Sequence, residues 1–91
     1  MTTIAHNAAT QRFETTIDGH TAYLSYQIID ERTWNIDHTI VPDALGGRGL
    51  GSALAKTALD FARDHDIKIV PSCSFVAHYI NKHQDYQNVL K

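Results

Sequence analysis

The sequence predicts a mixed α+β domain in the order β-β-β-loop-α-β-α, and three observations support this fold class. Residues 12–17 and 21–29 are rich in β-branched and aromatic side chains and flank the turn pair Asp18-Gly19, which predicts a β-hairpin. Residues 33–41 repeat this pattern, and a loop with four glycines in six residues follows them. Apolar residues then recur at helical spacing from Leu50 onward. We therefore expect a three-stranded antiparallel meander, a glycine-rich loop and an α-helix.

The third predicted strand follows a polar turn at residues 30–32 and ends before Pro42, which has no N–H to donate to a neighbouring strand. Side chains two positions apart in a strand lie on the same face of a sheet. The alternation therefore predicts that four side chains share one face: Trp34, Ile36, His38 and Ile40.

Two helices and a short strand are predicted after the turn. The first helix has about four turns, because small and apolar residues recur every three or four positions: Ala53, Leu54, Thr57, Ala58, Phe61 and Ala62. Residues 67–70 predict a short buried strand that Pro71 ends. Ser72 and Ser74 offer hydroxyl caps for a second helix that ends near His83 and carries the apolar stripe Phe75, Val76, Tyr79 and Ile80. Three apolar residues are expected to dock the C-terminal tail: Tyr86, Val89 and Leu90.

Length and composition narrow the possible classes of protein. A chain of 91 residues predicts one domain spanning residues 1–91, with residues 1–10 as a loose N-terminal arm. The net charge of −2 and the lack of a basic cluster argue against a nucleic-acid partner. No stretch approaches the roughly 20 apolar residues of a membrane span, so no membrane partner is expected either.

The cysteine and histidine pattern predicts a cytoplasmic protein without a metal site. Cys73 is the one cysteine and has no internal disulfide partner, and the N-terminal residues lack the basic start and apolar run of a signal peptide. No two of the six histidines have the spacing of a zinc site.

The glycine cluster predicts an anion-binding loop at the start of the first helix. Glycines allow positive φ and a close approach of the backbone to a phosphate, and the helix N-terminus adds a partial positive charge. A purely structural turn is the simplest alternative. A dinucleotide-binding loop is disfavoured because the loop follows antiparallel strands with a different glycine spacing, and a P-loop is disfavoured because no lysine precedes Ser52.

Residues 41–54, Val-Pro-Asp-Ala-Leu-Gly-Gly-Arg-Gly-Leu-Gly-Ser-Ala-Leu, resemble the acetyl-coenzyme A motif of the GCN5-related N-acetyltransferase (GNAT) superfamily. The motif reads Arg/Gln-x-x-Gly-x-Gly/Ala, and Gly46 here replaces its first residue. Nearly the whole chain resembles the small single-domain branch of that superfamily. The matching segments are His38-Thr39-x-Val41-Pro42, Val70-Pro71-x-Cys73-x-Phe75-Val76 and Tyr79-Ile80-x-Lys82-His83-x-x-Tyr86.

The resemblance implies a GNAT-like sheet that splays between the strand ending at Val41 and the strand near Ile69, with the pantetheine arm of acetyl-coenzyme A in the gap. It implies that the backbone of Thr39, Ile40 and Val41 pairs with the coenzyme, and that the N–H of Ile40 or Val41 stabilises the oxyanion. The pyrophosphate would contact the glycine loop, formed by Gly46, Gly47, Arg48, Gly49, Leu50, Gly51 and Ser52.

The implied function is an acetyl-coenzyme A-dependent N-acetyltransferase acting on a primary amine, either as a monomer or as a homodimer. Members of the superfamily build an acceptor site between their first two strands. Here the connection is only Asp18-Gly19-His20, so we expect a shallow, open acceptor cleft. Two alternatives stay open: a non-catalytic acyl-coenzyme A-binding or regulatory module, and an interaction domain that binds no coenzyme.

Two residues are candidates for catalysis. Cys73 follows a strand and precedes a helix N-terminus, which stabilises a thiolate, and it resembles a cysteine of the small branch. It is either a nucleophile or a small buried residue. His38 is either a base for the acceptor amine or a hydrogen-bonded core histidine. Tyr79 is a core residue or a proton donor to the leaving thiolate. Lys82 and His83 serve the helix dipole or contact the 3′-phosphate of the coenzyme.

Overall fold

In the computed structural model, which describes residues 3–91, five strands form one sheet in chain order. The strands are β1 (Ala5–Asn7), β2 (Arg12–Ile17), β3 (His20–Asp30), β4 (Thr33–Ile40) and β5 (Lys68–Pro71). The helices are α1 (Leu50–Asp64) and α2 (Ser74–Lys82), and two 3₁₀ turns lie at Asp43–Leu45 and Gln84–Val89. None of the helices in this range combines the length and apolar character required to cross a bilayer.

The sheet confirms the predicted mixed α+β architecture. Neighbouring strands from β1 to β4 are antiparallel, and β4 and β5 are parallel because α1 carries the chain back along the sheet. The predicted meander, glycine loop, first helix, short strand at residues 67–70 and second helix all occur close to their expected positions, the short strand as β5. The hydroxyl caps predicted for α2 are absent, since its N-cap is Cys73 and makes no side-chain capping bond.

The N-terminal segment differs from the loose arm that we expected for residues 1–10. Ala5–Asn7 forms β1 and pairs with the start of β2. The ring of His6 stacks on Phe13 with centroids 4.2 Å apart, and its Nε2 lies 2.7 Å from the hydroxyl of Tyr26. These long-range contacts hold a segment that has no periodicity of its own. Met1 and Thr2 lie outside the described residues.

The core occupies one face of the sheet. Alternate strand residues point to this face: Phe13, Leu24, Tyr26, Trp34, Ile36 and Ile69. They pack against the buried side chains of the two helices: Leu54, Ala58 and Leu59 of α1, and Val76 and Ile80 of α2. Each fully buried large apolar side chain contributes about 1.5–3 kcal/mol to folding. Tyr86 and Val89 are also buried and Leu90 packs against them, which confirms the predicted docking of the tail.

The predicted common face of β4 is wrong beyond Ile36 because the strand contains a bulge. Ser25 pairs with His38 and Tyr26 pairs with Ile36, so Asp37 is an additional residue. The bulge reverses the alternation. Thr39 consequently faces the core side, opposite Leu24, whereas His38 and Ile40 are exposed on the other face, the open face of the sheet.

Candidate functional site

A gap opens between β4 and β5 where their pairing ends. The two strands pair from Thr33–Lys68 to Ile36–Pro71, but β4 continues to Ile40. The backbone N–H of Cys73 donates to the carbonyl of Ile36 at 2.9 Å, which is the last backbone contact across this edge. Beyond it the chain turns into α2. The final residues of β4 therefore present backbone groups toward a gap rather than toward a neighbouring strand.

The glycine loop follows β4 and begins α1. Gly47 has φ +78° and Gly49 has φ +70°, conformations that favour glycine strongly over residues with a Cβ. Gly49 is the N-cap, and the first intrahelical backbone bond runs from Ala53 N to its carbonyl at 3.0 Å. The N–H groups of the first helical residues precede that bond and have no intrahelical acceptor. With no acidic residue in the first turn, this end of α1 suits an anion.

Phe75 packs over the first turn of α1. A Cβ at Gly51 would lie 2.9 Å from Cζ of Phe75, so the glycine permits this close contact. Phe75 is 42% exposed and is therefore a wall of the site, not the core residue that the helical stripe predicted. Sequence periodicity could not distinguish these roles, because both place Phe75 on the same side of α2.

Two cavities lie side by side at this end of the molecule. The first, about 380 Å³, is lined by Val41, Pro42, residues of the glycine loop and Phe75. The second, about 240 Å³, is lined by Ser52, Phe75, His78, Tyr79, Lys82 and His83. Ser52 and Phe75 line both, so the two cavities adjoin. Together they have the size of a site for an extended small molecule.

The predicted loop residues differ in what they offer a ligand. Gly46, Gly47, Gly49, Gly51 and Ser52 line the first cavity. Leu50 also lines it, but its side chain is in the core and only its backbone can serve the loop. The guanidinium of Arg48 lies 3.9 Å from Asp18 of the β2–β3 turn, and both side chains are largely exposed. Arg48 would have to leave this weak contact to reach an anion in the cavity.

Cys73 lies at the gap. Its side chain is half-buried, and Sγ donates to Oγ1 of Thr39 at 3.5 Å. The structure thus brings Cys73 close to Thr39, and Ile40 and Val41 follow Thr39 in the chain. Val41 lines the first cavity. His38 is on the opposite, open face. The sheet separates its imidazole from Cys73, and the exposed position does not fit the core-histidine interpretation.

Tyr79 and His83 form a wall of the second cavity. Their rings stack with centroids 4.0 Å apart, and His83 Nδ1 lies 2.9 Å from the carbonyl of Tyr79. Burial raises the pKa of Tyr79, so its hydroxyl is protonated and able to donate near neutral pH. Sequence reasoning did not identify His78, which lies one turn before Lys82 on this wall. The i, i+4 spacing of the two residues was the available signal.

Comparison with known proteins gives consistent matches. Residues 12–89 match the family model described as GCN5-related N-acetyl-transferase. Protein NATD1 of Homo sapiens is 33% identical over 81 residues, covering 87% of this chain and 72% of the relative. Its counterpart in Xenopus tropicalis is 32% identical, covering 87% and 74%. The NMR solution structure of a GCN5-like protein from Staphylococcus aureus shares 36% identity with a TM-score of 0.77, covering 98% of this chain and 87% of that one.

Proposed function

Because the chain belongs to the GCN5-related N-acetyltransferase family, we propose that it binds acetyl-coenzyme A and transfers the acetyl group to a primary amine. One observation carries this proposal. The first cavity runs along the positive-φ glycine loop to Val41, at the edge of the gap in the sheet, and the second cavity adjoins it at Ser52 and Phe75. The thiol of Cys73 contacts Thr39 at that gap.

The coenzyme would occupy three connected regions. Its pyrophosphate would accept hydrogen bonds from backbone N–H groups between Gly47 and Ser52. The guanidinium of Arg48 would leave Asp18 and form an ion pair with the pyrophosphate. Its pantetheine arm enters the gap beside Thr39, Ile40 and Val41, where the unpaired edge of β4 offers backbone donors and acceptors. Its phosphorylated ribose reaches the second cavity, where Lys82 supplies a positive charge.

Cys73 acts as the nucleophile in this proposal. The sulfur of Cys73 attacks the carbonyl carbon of the thioester, the bond from that carbon to the coenzyme sulfur breaks, and the proton given up by the Cys73 thiol passes to the departing coenzyme thiolate. The N–H of Ile40 or Val41 stabilises the oxyanion. An amine then attacks the acetyl carbon on Cys73, the carbon–sulfur bond breaks, and the amine loses a proton while the Cys73 thiol is restored.

His38 serves the acceptor in this proposal. It lies exposed on the open face, and imidazole is suited to accept a proton from an amine at near-neutral pH. An amine that enters the gap from the open face would pass His38 on its way to the acetyl group, and the proton that it loses would reach the imidazole through a bridging water. The two candidate catalytic residues thus serve different substrates.

The test is amine-dependent release of coenzyme A thiol from acetyl-coenzyme A, measured with a panel of primary amines. We expect release by the unmodified protein and a loss of about hundredfold or more in the Cys73→Ala variant, as for removal of a nucleophile. Release that is equally fast in both proteins, or that no amine accelerates, would contradict the proposed reaction.

A non-catalytic acyl-coenzyme A-binding module is the second candidate, and one feature favours it. The turn between β2 and β3 is only Asp18-Gly19, so no element from this connection covers the open face where an acceptor would bind. Saturable binding of acetyl-coenzyme A without transfer to any amine of the panel would support this alternative.

A further inference from the structure

Asp37 is held in a fixed position at the bulge of β4. The bulge arises because Asp37 is the extra residue between the pairs Ser25–His38 and Tyr26–Ile36. The hydroxyl of Ser25 donates to Oδ1 of Asp37 at 2.7 Å. A charge-assisted bond of this kind orients the carboxylate and leaves its second oxygen able to accept from another donor.

The Asp37 carboxylate lies on the open face. Ser25 stands between Leu24 and Tyr26 in β3, and both of these neighbours are buried in the core. Strand alternation therefore places Ser25, and the carboxylate bonded to it, on the face opposite the core. The buried residues of α1 and α2 belong to the core on the other side, so a ligand can approach Asp37 without displacing either helix.

Asp37 has no cationic partner. None of the Lys, Arg or His side chains within residues 3–91 forms an ion pair with its half-buried carboxylate. The guanidinium of Arg12, on the same face, instead lies 3.9 Å above the ring of Tyr23. A carboxylate that has no counter-charge within the described residues suits a cationic ligand, which would supply one.

Asp37 lies in the part of β4 that borders the gap between β4 and β5. Cys73 touches β4 at two points, through its N–H to Ile36 and through its thiol to Thr39. Asp37 lies between these two residues in the strand, with its side chain on the other face. A molecule approaching the gap from the open face would therefore meet the Asp37 carboxylate and the neighbouring His38.

We propose that Asp37 binds the acceptor, holding the ammonium group of a primary amine on a flexible alkyl chain. This inference rests on the proposed function, since it assigns the acceptor of that reaction. The single carboxylate favours an ammonium group and disfavours an amine with an adjacent carboxylate, as in a free α-amino acid. A small diamine and a lysine side chain both have the required chemistry.

The experiment is an NMR titration of the isotope-labelled protein with saturating free coenzyme A, which binds without transfer. The ligands are putrescine, Nα-acetyl-lysine methylamide and glycine. We expect backbone amide shifts at residues 36–40 with the first two ligands and markedly weaker binding of glycine. Saturable binding of putrescine alone would identify the acceptor as a small diamine. Saturable binding of Nα-acetyl-lysine methylamide alone would identify it as a lysine side chain.

Three variants separate the charge from the fold. Asp37→Asn keeps an oxygen for Ser25 but loses the charge, and we expect its Kd for the amine to rise about tenfold or more. Ser25→Ala keeps the charge and should change Kd by less than about threefold. Glu14→Gln removes a carboxylate from the same face two strands away and should leave Kd unchanged.

Unaltered amine affinity in Asp37→Asn would overturn the inference, and so would shifts that map away from β4. Equal weakening in Asp37→Asn and Ser25→Ala, with matching losses of stability, would assign Asp37 a structural role instead. The same titration without coenzyme distinguishes the two proposals. Amine binding that depends on Asp37 in a protein that fails to bind coenzyme would retain the amine site and reject the proposed function.

Discussion

Cys73 and Thr39 face each other across the gap between β4 and β5, with the cysteine Sγ 3.5 Å from the threonine Oγ1. The contact joins the start of α2 to the unpaired end of β4. It holds the one thiol of the chain where the proposed thioester would lie.

We expect an acetyl group on Cys73 when the protein is mixed with acetyl-coenzyme A in the absence of amine. Intact-protein mass spectrometry followed by peptide mapping detects it. The Cys73→Ser variant should bind the coenzyme within about twofold of the unmodified protein, since the side chains are nearly isosteric. It should show no acetyl group that an added amine removes. Amine acetylation that proceeds at an unchanged rate in Cys73→Ser would show that the amine attacks the thioester directly.

The contact between Gly51 and Phe75 predicts an effect on binding that is separate from stability. Gly51→Ala places a Cβ 2.9 Å from Cζ of Phe75, and the exposed ring would have to shift into the cavities. Because alanine favours a helix over glycine by about 1 kcal/mol, the free energy of unfolding should change little or rise. Coenzyme affinity should fall. Adding Phe75→Ala should relieve the crowding, so additive losses in the double variant would contradict this explanation.

The second cavity predicts that the protein distinguishes coenzyme A from the analogue lacking the 3′-phosphate. Lys82→Gln should weaken coenzyme A binding by about two- to fivefold at low salt, the size of an exposed ion pair. Binding of the dephosphorylated analogue should not change. Lys68→Gln, a matched loss of charge on β5 at a residue that lines neither cavity, should affect neither ligand. A similar loss of affinity for both ligands in Lys82→Gln would mean that the lysine does not contact the 3′-phosphate.

His6 predicts a pH dependence of stability. Burial among aromatic rings lowers the pKa of His6, and the nearby charge of His65 lowers it further. The unfolded chain therefore binds the proton more readily than the folded one. Stability should be complete above the ordinary histidine pKa of about 6.5 and should decline as pH falls through that value toward the lower folded-state pKa.

Urea unfolding of the unmodified protein and of His6→Phe, compared between about pH 7.5 and pH 5.5, checks this prediction. The variant keeps an aromatic ring against Phe13 but cannot titrate, so its stability should fall less on acidification. His78→Gln, at an exposed histidine on α2, is the control and should fall as the unmodified protein does. An equal loss of unfolding free energy on acidification in the unmodified protein and in His6→Phe would contradict the assignment of this pH dependence to His6.

Local patterns were sufficient for much of the fold. The alternation in residues 12–17 and 21–29, the turn at Asp18-Gly19 and the helical spacing after Leu50 are short-range signals, and each element occurs as predicted. The glycine cluster likewise indicated a loop that permits positive φ at the start of a helix, although it did not reveal that Gly47 and Gly49 would adopt it.

Features that depend on distant contacts were not predictable. The strand at Ala5–Asn7 exists because His6 meets rings from three other strands and from α1. The bulge at Asp37 changes the register by one residue, which moved His38 and Ile40 from the expected core face to the open face. The alternation of polar and apolar residues in the sequence does not indicate such an insertion. The orientation of Arg48 toward Asp18 is also a contact across two loops.

Calorimetric titration with acetyl-coenzyme A and with coenzyme A measures whether the glycine loop binds the coenzyme, as we propose. Gly49→Leu and Gly19→Leu form a matched pair. Both glycines have positive φ and open space around an added Cβ, so each replacement should cost about 1–2 kcal/mol of stability. We expect saturable binding by the unmodified protein and by Gly19→Leu, and none by Gly49→Leu. No binding by the unmodified protein at millimolar coenzyme, or equal binding by both variants, would show that the glycine loop is not a coenzyme site.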